Sequence, residues 1–316
     1  MTTTAKDALI EAIVAFIGGQ DLLDRGEVRT ALEREIDRDG PDALVALMAR
    51  LSTDHGWAYY PPDPLARRIH HLLARRFLTV ESRVEGLEHV PTVAAAPVIV
   101  VANHLSYADA NVIEILLQRS SGAAAGLAGR LTALAGPKVF TNRDRRFSSL
   151  CFGTIKVPQS ADVSSEEAVL NAREVARAAR RVIDVAHERL AAGDALVLFG
   201  EGTRSRDGRL QRMLPAVARY LDGPGAWILP VGVTGPEELF PIDGSRLRPT
   251  RITMTVGQPV RSEALLARVD GNRRLATDAI GLAIAALLPP AYRGAYGDVA
   301  ELSEARAVAA AVFSEA

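Results

Sequence analysis

The sequence predicts an α/β fold: a central mixed sheet flanked by helices and preceded by a small helical N-terminal region. Three observations carry this. Short, continuous apolar runs, above all Val98–Ala102 and Ala195–Phe199, have the composition of strands buried on both faces. Segments of helical periodicity separate them, and alternation of this kind builds a sheet with helices on its faces. The first 60 residues show helical spacing alone.

In chain order, Leu9, Ile10, Ile13, Val14 and Ile17 mark a first helix that Gly18-Gly19 should stop. Val28, Ala31, Leu32 and Ile36 mark a second. Pro41, at a favoured first helical position, opens a third with Leu44, Val45, Leu47, Met48 and Leu51 on its apolar face. The stretch from Asp54 to Pro62 breaks the periodicity and reads as a linker, giving expected divisions of 1–60, 61–295 and a C-terminal helix at 296–316. Asp63-Pro64 then starts a helix whose apolar face is Leu65, Ile69, Leu72, Leu73 and Phe77. Its other positions hold Arg67, Arg68, His70, His71, Arg75 and Arg76 with no acid among them. Such a face is either an ordinary solvated one or one suited to anionic lipid headgroups. Val80, Ser82 and Val84 alternate as in a strand, and further strands are expected at 98–102, 153–157, 195–199, 226–233 and 251–256. Helices are expected near 107–118, from a Ser164–Glu167 capping box to about Leu190, and at the end of the chain.

A chain of 316 residues that is 48% hydrophobic can bury a sizeable core. Lys and Arg number 37 and Asp and Glu 38, a net charge of −1, which argues against a nucleic-acid partner. A single cysteine, Cys151, leaves no disulfide framework and no cysteine-cluster metal site, and fits a reducing, cytoplasmic setting. No stretch approaches the roughly 18 apolar residues of a spanning helix. The N-terminus does not read as a secretory signal, so a soluble or peripheral chain is expected.

Two apolar strands run into dense polar clusters, and in open α/β sheets sites collect past the carboxyl ends of strands. After the first comes Asn103-His104-Leu105-Ser106-Tyr107-Ala108-Asp109. Asp109 can fold back to accept the His104 imidazole N–H, which leaves the other nitrogen as a general base. After the second comes Gly200-Glu201-Gly202-Thr203-Arg204-Ser205-Arg206, where Gly202 admits close backbone approach and Arg204 and Arg206 offer fork-shaped donors for phosphate.

These two clusters together, with Gly153–Val157 and the proline-containing run Ile228–Val233 between and after them, resemble the motifs of the glycerolipid acyltransferase superfamily over roughly residues 79–295. The resemblance implies transfer of a fatty acyl group from acyl-CoA or acyl-carrier protein to a hydroxyl of a lysophospholipid, 1-acyl-glycerol 3-phosphate foremost, or of glycerol 3-phosphate or an unusual lipid alcohol. A catalytically inactive peripheral lipid-binding protein is the non-enzymatic alternative. It implies His104 as base, Asp109 as its orienting partner, and Glu201, Gly202, Thr203, Arg204 and Arg206 around the acceptor, with no cofactor or metal. It also implies a cytoplasmic enzyme, peripheral at an anionic membrane surface on the inner face. The family's second motif commonly ends in an arginine, where Pro158-Gln159 stands here; its role would pass to Lys156, or to Lys138, Arg143, Arg145 and Arg146 upstream.

Overall fold

A computed structural model describes residues 2–17, 24–53, 56–120, 122–141, 143–158, 172–223, 225–241, 247–297 and 300–313. Three helices, α1 (Thr2–Ile17), α2 (Arg25–Arg38) and α3 (Pro41–Ser52), precede β1 (Tyr59–Tyr60), α4 (Pro64–Phe77) and β2 (Arg83–Glu85). Then follow β3 (Val98–Ala102), α5 (Asp109–Arg119), α6 (Ala123–Gly129), β4 (Leu131–Ala135), α7 (Lys138–Thr141), α8 (Arg143–Ser149) and β5 (Gly153–Lys156). The chain continues through α9 (Ala172–Ala191), β6 (Ala195–Phe199), a 3-10 segment (Pro215–Asp222), β7 (Trp227–Thr234), α10 (Pro236–Leu239), β8 (Thr253–Val256) and β9 (Val260–Arg261). It closes with α11 (Ser262–Val269), α12 (Arg273–Ala286) and α13 (Ser303–Phe313).

Among the described residues, nine strands form one sheet in the order β1-β5-β4-β6-β3-β7-β8-β2, with β9 pairing beside β7. The five central strands, β5, β4, β6, β3 and β7, are mutually parallel. β1 runs antiparallel to β5 and β8 antiparallel to β7, so the sheet is mixed, as expected. Side chains alternate across it into two apolar layers. Val98, Val100 and Ala102 face a layer shared with Leu9, Ile13, Leu32, Leu47, Leu65, Ile69 and Ile113, so α1–α5 cover that face. Ile99, Val101, Leu196 and Leu198 face the other layer, built by α9, α11, α12 and α13.

Several details depart from expectation. Residues 54–62 are not merely a linker: β1 pairs Tyr59 with Ile155 and Tyr60 with Thr154 at the sheet edge. The strand expected around residues 80–84 is confined to Arg83–Glu85. β4 was not legible, because Leu-Thr-Ala-Leu-Ala is composed for a helix as much as for a strand and only insertion between β5 and β6 decides it. The Gly18-Gly19 stop and the Ser164–Glu167 capping box lie outside the described residues. Asp63 does cap α4, its Oδ1 accepting from the Ala66 amide at 3.0 Å.

Most of the basic side of α4 is engaged by neighbouring elements. Arg68 pairs with Glu35 and Asp39 near α2, and His70 and His71 both contact the buried Glu114 of α5. Arg67 donates to the carbonyls of Cys151 (2.9 Å), Gly129 (3.3 Å) and Ala128 (3.4 Å). Of the six basic side chains, Arg75 alone is exposed. The acids that α4 lacks are supplied by its neighbours.

One contact ties the core to the loop that follows β3. The Asn103 amide donates to the Val233 carbonyl at 2.9 Å and accepts from the Val233 N–H at 2.8 Å, extending the β3–β7 ladder by a side-chain rung. Loss of this rung leaves two buried backbone groups unpaired. Asn103→Ala is therefore expected to lower the unfolding free energy by about 1–3 kcal/mol in equilibrium denaturation.

Candidate active site

β3 and β6 are parallel neighbours with Ala102 opposite Phe199, so the loops leaving their carboxyl ends emerge side by side. Asp109 begins α5 and is buried. Its Oδ2 accepts from the backbone N–H of Leu105 (2.6 Å) and Ser106 (2.9 Å) and contacts His104 Nδ1 at 2.7 Å. A carboxylate oxygen already accepting two N–H groups fixes the imidazole as the third donor, so the Nδ1 proton is held and Nε2 is left as the basic nitrogen. The imidazole stacks on the Phe199 ring, centroids 4.3 Å apart and planes 16° apart, which fixes its orientation from the second strand.

The two loops are joined by Glu201. Its Oε1 accepts from the His104 backbone N–H at 2.6 Å and its Oε2 from the Gln211 N–H at 2.8 Å, while Ser205 N–H donates to the His104 carbonyl at 2.8 Å. Burial pushes the Glu201 carboxyl up to about 8, against these two N–H donors and with Asp109 and Asp207 adding to the rise. Gly202 sits at φ 73°, and a Cβ there would lie 2.4 Å from Leu214 Cδ1, so the loop turns where only glycine fits.

The Arg204 guanidinium lies 3.7 Å from the Tyr107 ring centroid, and that of Arg145, from α8, lies 4.0 Å from the same centroid. The Tyr107 ring thus keeps two cations near each other at the cavity wall. Arg204 Nη1 is buried without a hydrogen-bond partner among the described residues, a donor awaiting an acceptor.

A cavity of about 1660 Å³ opens over this edge of the sheet. His104, Tyr107, Arg145, Gly202, Thr203, Arg204 and Arg206 all line it. Its lining is largely apolar and draws on both core layers, with Leu9, Ile13 and Phe77 from one and Leu134, Val217 and Tyr220 from the other.

Not every expected residue faces this space. Glu201 does not line it: both carboxylate oxygens are taken by backbone N–H groups, so its expected place beside the acceptor is corrected to that of a brace between loops. Lys156 lies outside the lining, its Nζ 5.2 Å from the Trp57 ring centroid and 5.3 Å from that of Phe140. Arg146 is buried and donates to the Leu51 carbonyl at 3.0 Å. Arg143 and Lys138 do line the cavity, and Arg143 Nη2 approaches Met48 Sδ at 3.5 Å. Gln159 lies outside the described residues. Tyr107 and Phe199 were overlooked in the sequence, although an aromatic inside the His-to-Asp interval and one ending the second strand were the available signals.

The family match agrees with the motif blocks. Residues 81–234 match the family model described as Acyltransferase. The fold is similar to the crystal structure of the 1-acyl-sn-glycerophosphate (LPA) acyltransferase PlsC from Thermotoga maritima, at 20% identity and a TM-score of 0.42, over 83% of this chain and 88% of that one. No curated protein matches the chain.

The raised Glu201 carboxyl has a stability consequence. Its proton is held more tightly in the folded chain than at the ordinary value of 4.5, so folding takes up a proton between that value and about 8. This contribution is complete below pH 4.5 and is lost as pH rises toward 8. The unfolding midpoint of the parent should therefore fall over this window relative to Glu201→Gln, which has no proton to lose. Parallel pH profiles of the two proteins would show that the brace is not proton-linked.

Proposed function

We propose that the chain, whose residues 81–234 match the Acyltransferase family model, is a glycerolipid acyltransferase that transfers a fatty acyl group from a thioester to the hydroxyl of an acylated glycerophosphate. One observation carries this reading: a tautomer-locked histidine in a largely apolar cavity whose lining also holds Arg204, with its Nη1 unpartnered among the described residues.

In this reading the acceptor phosphate is held by Arg204, with Arg145 and Arg206 beside it, and the fork geometry of a guanidinium suits it to two parallel hydrogen bonds. The acceptor hydroxyl then gives its proton to His104 Nε2 as its oxygen attacks the thioester carbonyl. Asp109 stabilises the imidazolium so formed. The tetrahedral intermediate collapses by expelling the thiolate, which takes up the proton that His104 holds, and the ester leaves with the enzyme restored. The donor is acyl-CoA or acyl-carrier protein. Cys151 is an unsuitable nucleophile for an acyl-enzyme, because burial pushes its thiol well above the ordinary value.

The size of the cavity supports an acceptor that already carries a chain. Sites for a single drug-sized ligand occupy roughly 300–1,000 Å³, and the volume here is about 1660 Å³ with a largely apolar lining, more than glycerol 3-phosphate alone would fill. Among the described residues no helix is long and apolar enough to cross a membrane. Contact with an anionic membrane surface, at the cytoplasmic face where the donor is found, follows in this reading from the amphiphilic acceptor rather than from α4.

Folded His104→Ala should lose about 10²–10⁴-fold in turnover, followed as thiol release from acyl-CoA with 1-acyl-glycerol 3-phosphate. Near-parental thiol release would end the general-base reading. Arg204→Lys should raise the acceptor KM at least ~10-fold and leave the donor KM nearly unchanged, since a charge-assisted hydrogen bond contributes about 1.5–3 kcal/mol. Equal rises in both constants would instead assign Arg204 to bracing the loop.

A further inference from the structure

Away from His104, on the face of α4 that meets α5, two adjacent histidines converge on one carboxylate. His70 Nε2 lies 3.1 Å from Glu114 Oε2, and His71 Nε2 lies 3.1 Å from the same oxygen and 2.9 Å from Oε1. Glu114 is fully buried, and the three side chains place one ligand atom each within 4.8 Å of one another. We infer that His70, His71 and Glu114 form a binding site for a divalent transition ion of the zinc class.

The donor set selects the ion. Two imidazole nitrogens and one carboxylate oxygen are zinc ligands, whereas magnesium and calcium favour oxygen throughout. The spacing also fits. Ligands about 2.0–2.1 Å from a tetrahedral zinc stand roughly 3.3–3.4 Å apart, so the separations of 3.1 Å from Oε2 to each imidazole need open by only a few tenths of an ångström.

Among the described residues, Arg67 lies beside Glu114 and opposes such an ion, its Nε lying 3.6 Å from the carboxylate. That contact is made to Oε1, however, and the same guanidinium is held by three backbone carbonyls. Oε2 remains as the donor common to both histidines. On binding, the imidazole protons move from Nε2 to Nδ1 in neutral rings, so the carboxylate exchanges two N–H donors for the ion. Cys151 is not a fourth ligand, because its thiol donates to the carbonyls of Phe147 (3.4 Å) and Ala66 (3.6 Å). His70 lines the large cavity, which leaves the fourth position to a water from that side. An ion there would clamp α4 to α5, the helix that begins with Asp109.

The inference does not depend on the proposed reaction, and its test reads binding rather than turnover. The full chain, stripped with a chelator and dialysed, is titrated with zinc chloride in a calorimeter and with cobalt(II) in an absorption spectrometer. One equivalent of zinc per chain, a raised unfolding midpoint and the visible bands of four-coordinate cobalt are expected, in His104→Ala as in the parent. The double variant His70→Ala/His71→Ala should lose all three. Should that variant fail to fold, His71→Gln decides, because glutamine keeps an N–H donor toward Glu114 and supplies no imidazole. Loss of an outer partner alone weakens metal sites by roughly 10–100-fold, so His71→Gln should weaken zinc at least ~100-fold. Zinc far below one equivalent in the parent, or parental affinity in either variant, overturns the site.

Discussion

A single buried carboxylate holds the two functional loops together. Glu201 accepts one backbone N–H from each side of the cleft between the ends of β3 and β6, and nothing else among the described residues bonds to it. The restraint extends outward from there. Met213, two residues beyond the Gln211 partner of Glu201, donates its N–H to the Tyr296 hydroxyl at 2.9 Å, and that hydroxyl donates to Asp278 Oδ1 at 2.9 Å. Asp278 is also gripped by Arg212 in two parallel bonds of 2.9 and 2.8 Å. Tyr296 and Asp278 are therefore tied to the His104 backbone through two sets of hydrogen bonds joined by the chain segment 211–213. Chains of this kind are only as stiff as their fully paired members, and here the buried ones are paired.

The second organising contact is aromatic. Guanidiniums at Arg145 and Arg204 repel one another, and in water they would drift apart. The Tyr107 ring attracts both, so it holds like charges within one wall of the cavity before any anion arrives. A phosphate bound there meets donors that have already given up much of their rotational freedom.

How much of this was legible depended on the range of the interaction. The His104–Asp109 pair spans five residues on one loop, and the strands before and after it are apolar without interruption, so spacing and composition sufficed. The N-terminal cap of α4 by Asp63 was legible for the same reason. Long-range pairing was not. The basic residues of α4 looked free because their acids stand on α2 and α5, and Glu201 looked like a ligand because its partners are backbone N–H groups that no side-chain pattern records. β4 was hidden by an alanine-rich composition that only its place between β5 and β6 resolves.

The position of α1 bears on how such a protein changes over generations. Its residues Leu9, Ile13 and Phe16 form part of the cavity lining, and the helix packs on the sheet while supplying no strand to it and no residue to the His104–Asp109 pair. Phe16 meets Phe240 across the opening with ring centroids 5.7 Å apart, a contact between a helix and a loop rather than within the core of the sheet. Substitution at Phe16, which is only half-buried, can therefore reshape that part of the lining without replacing His104, Asp109 or Glu201. The lining that α1 lends to the cavity and the His104–Asp109 pair reside on separate pieces of the polypeptide, so selection can alter the first without replacing the second.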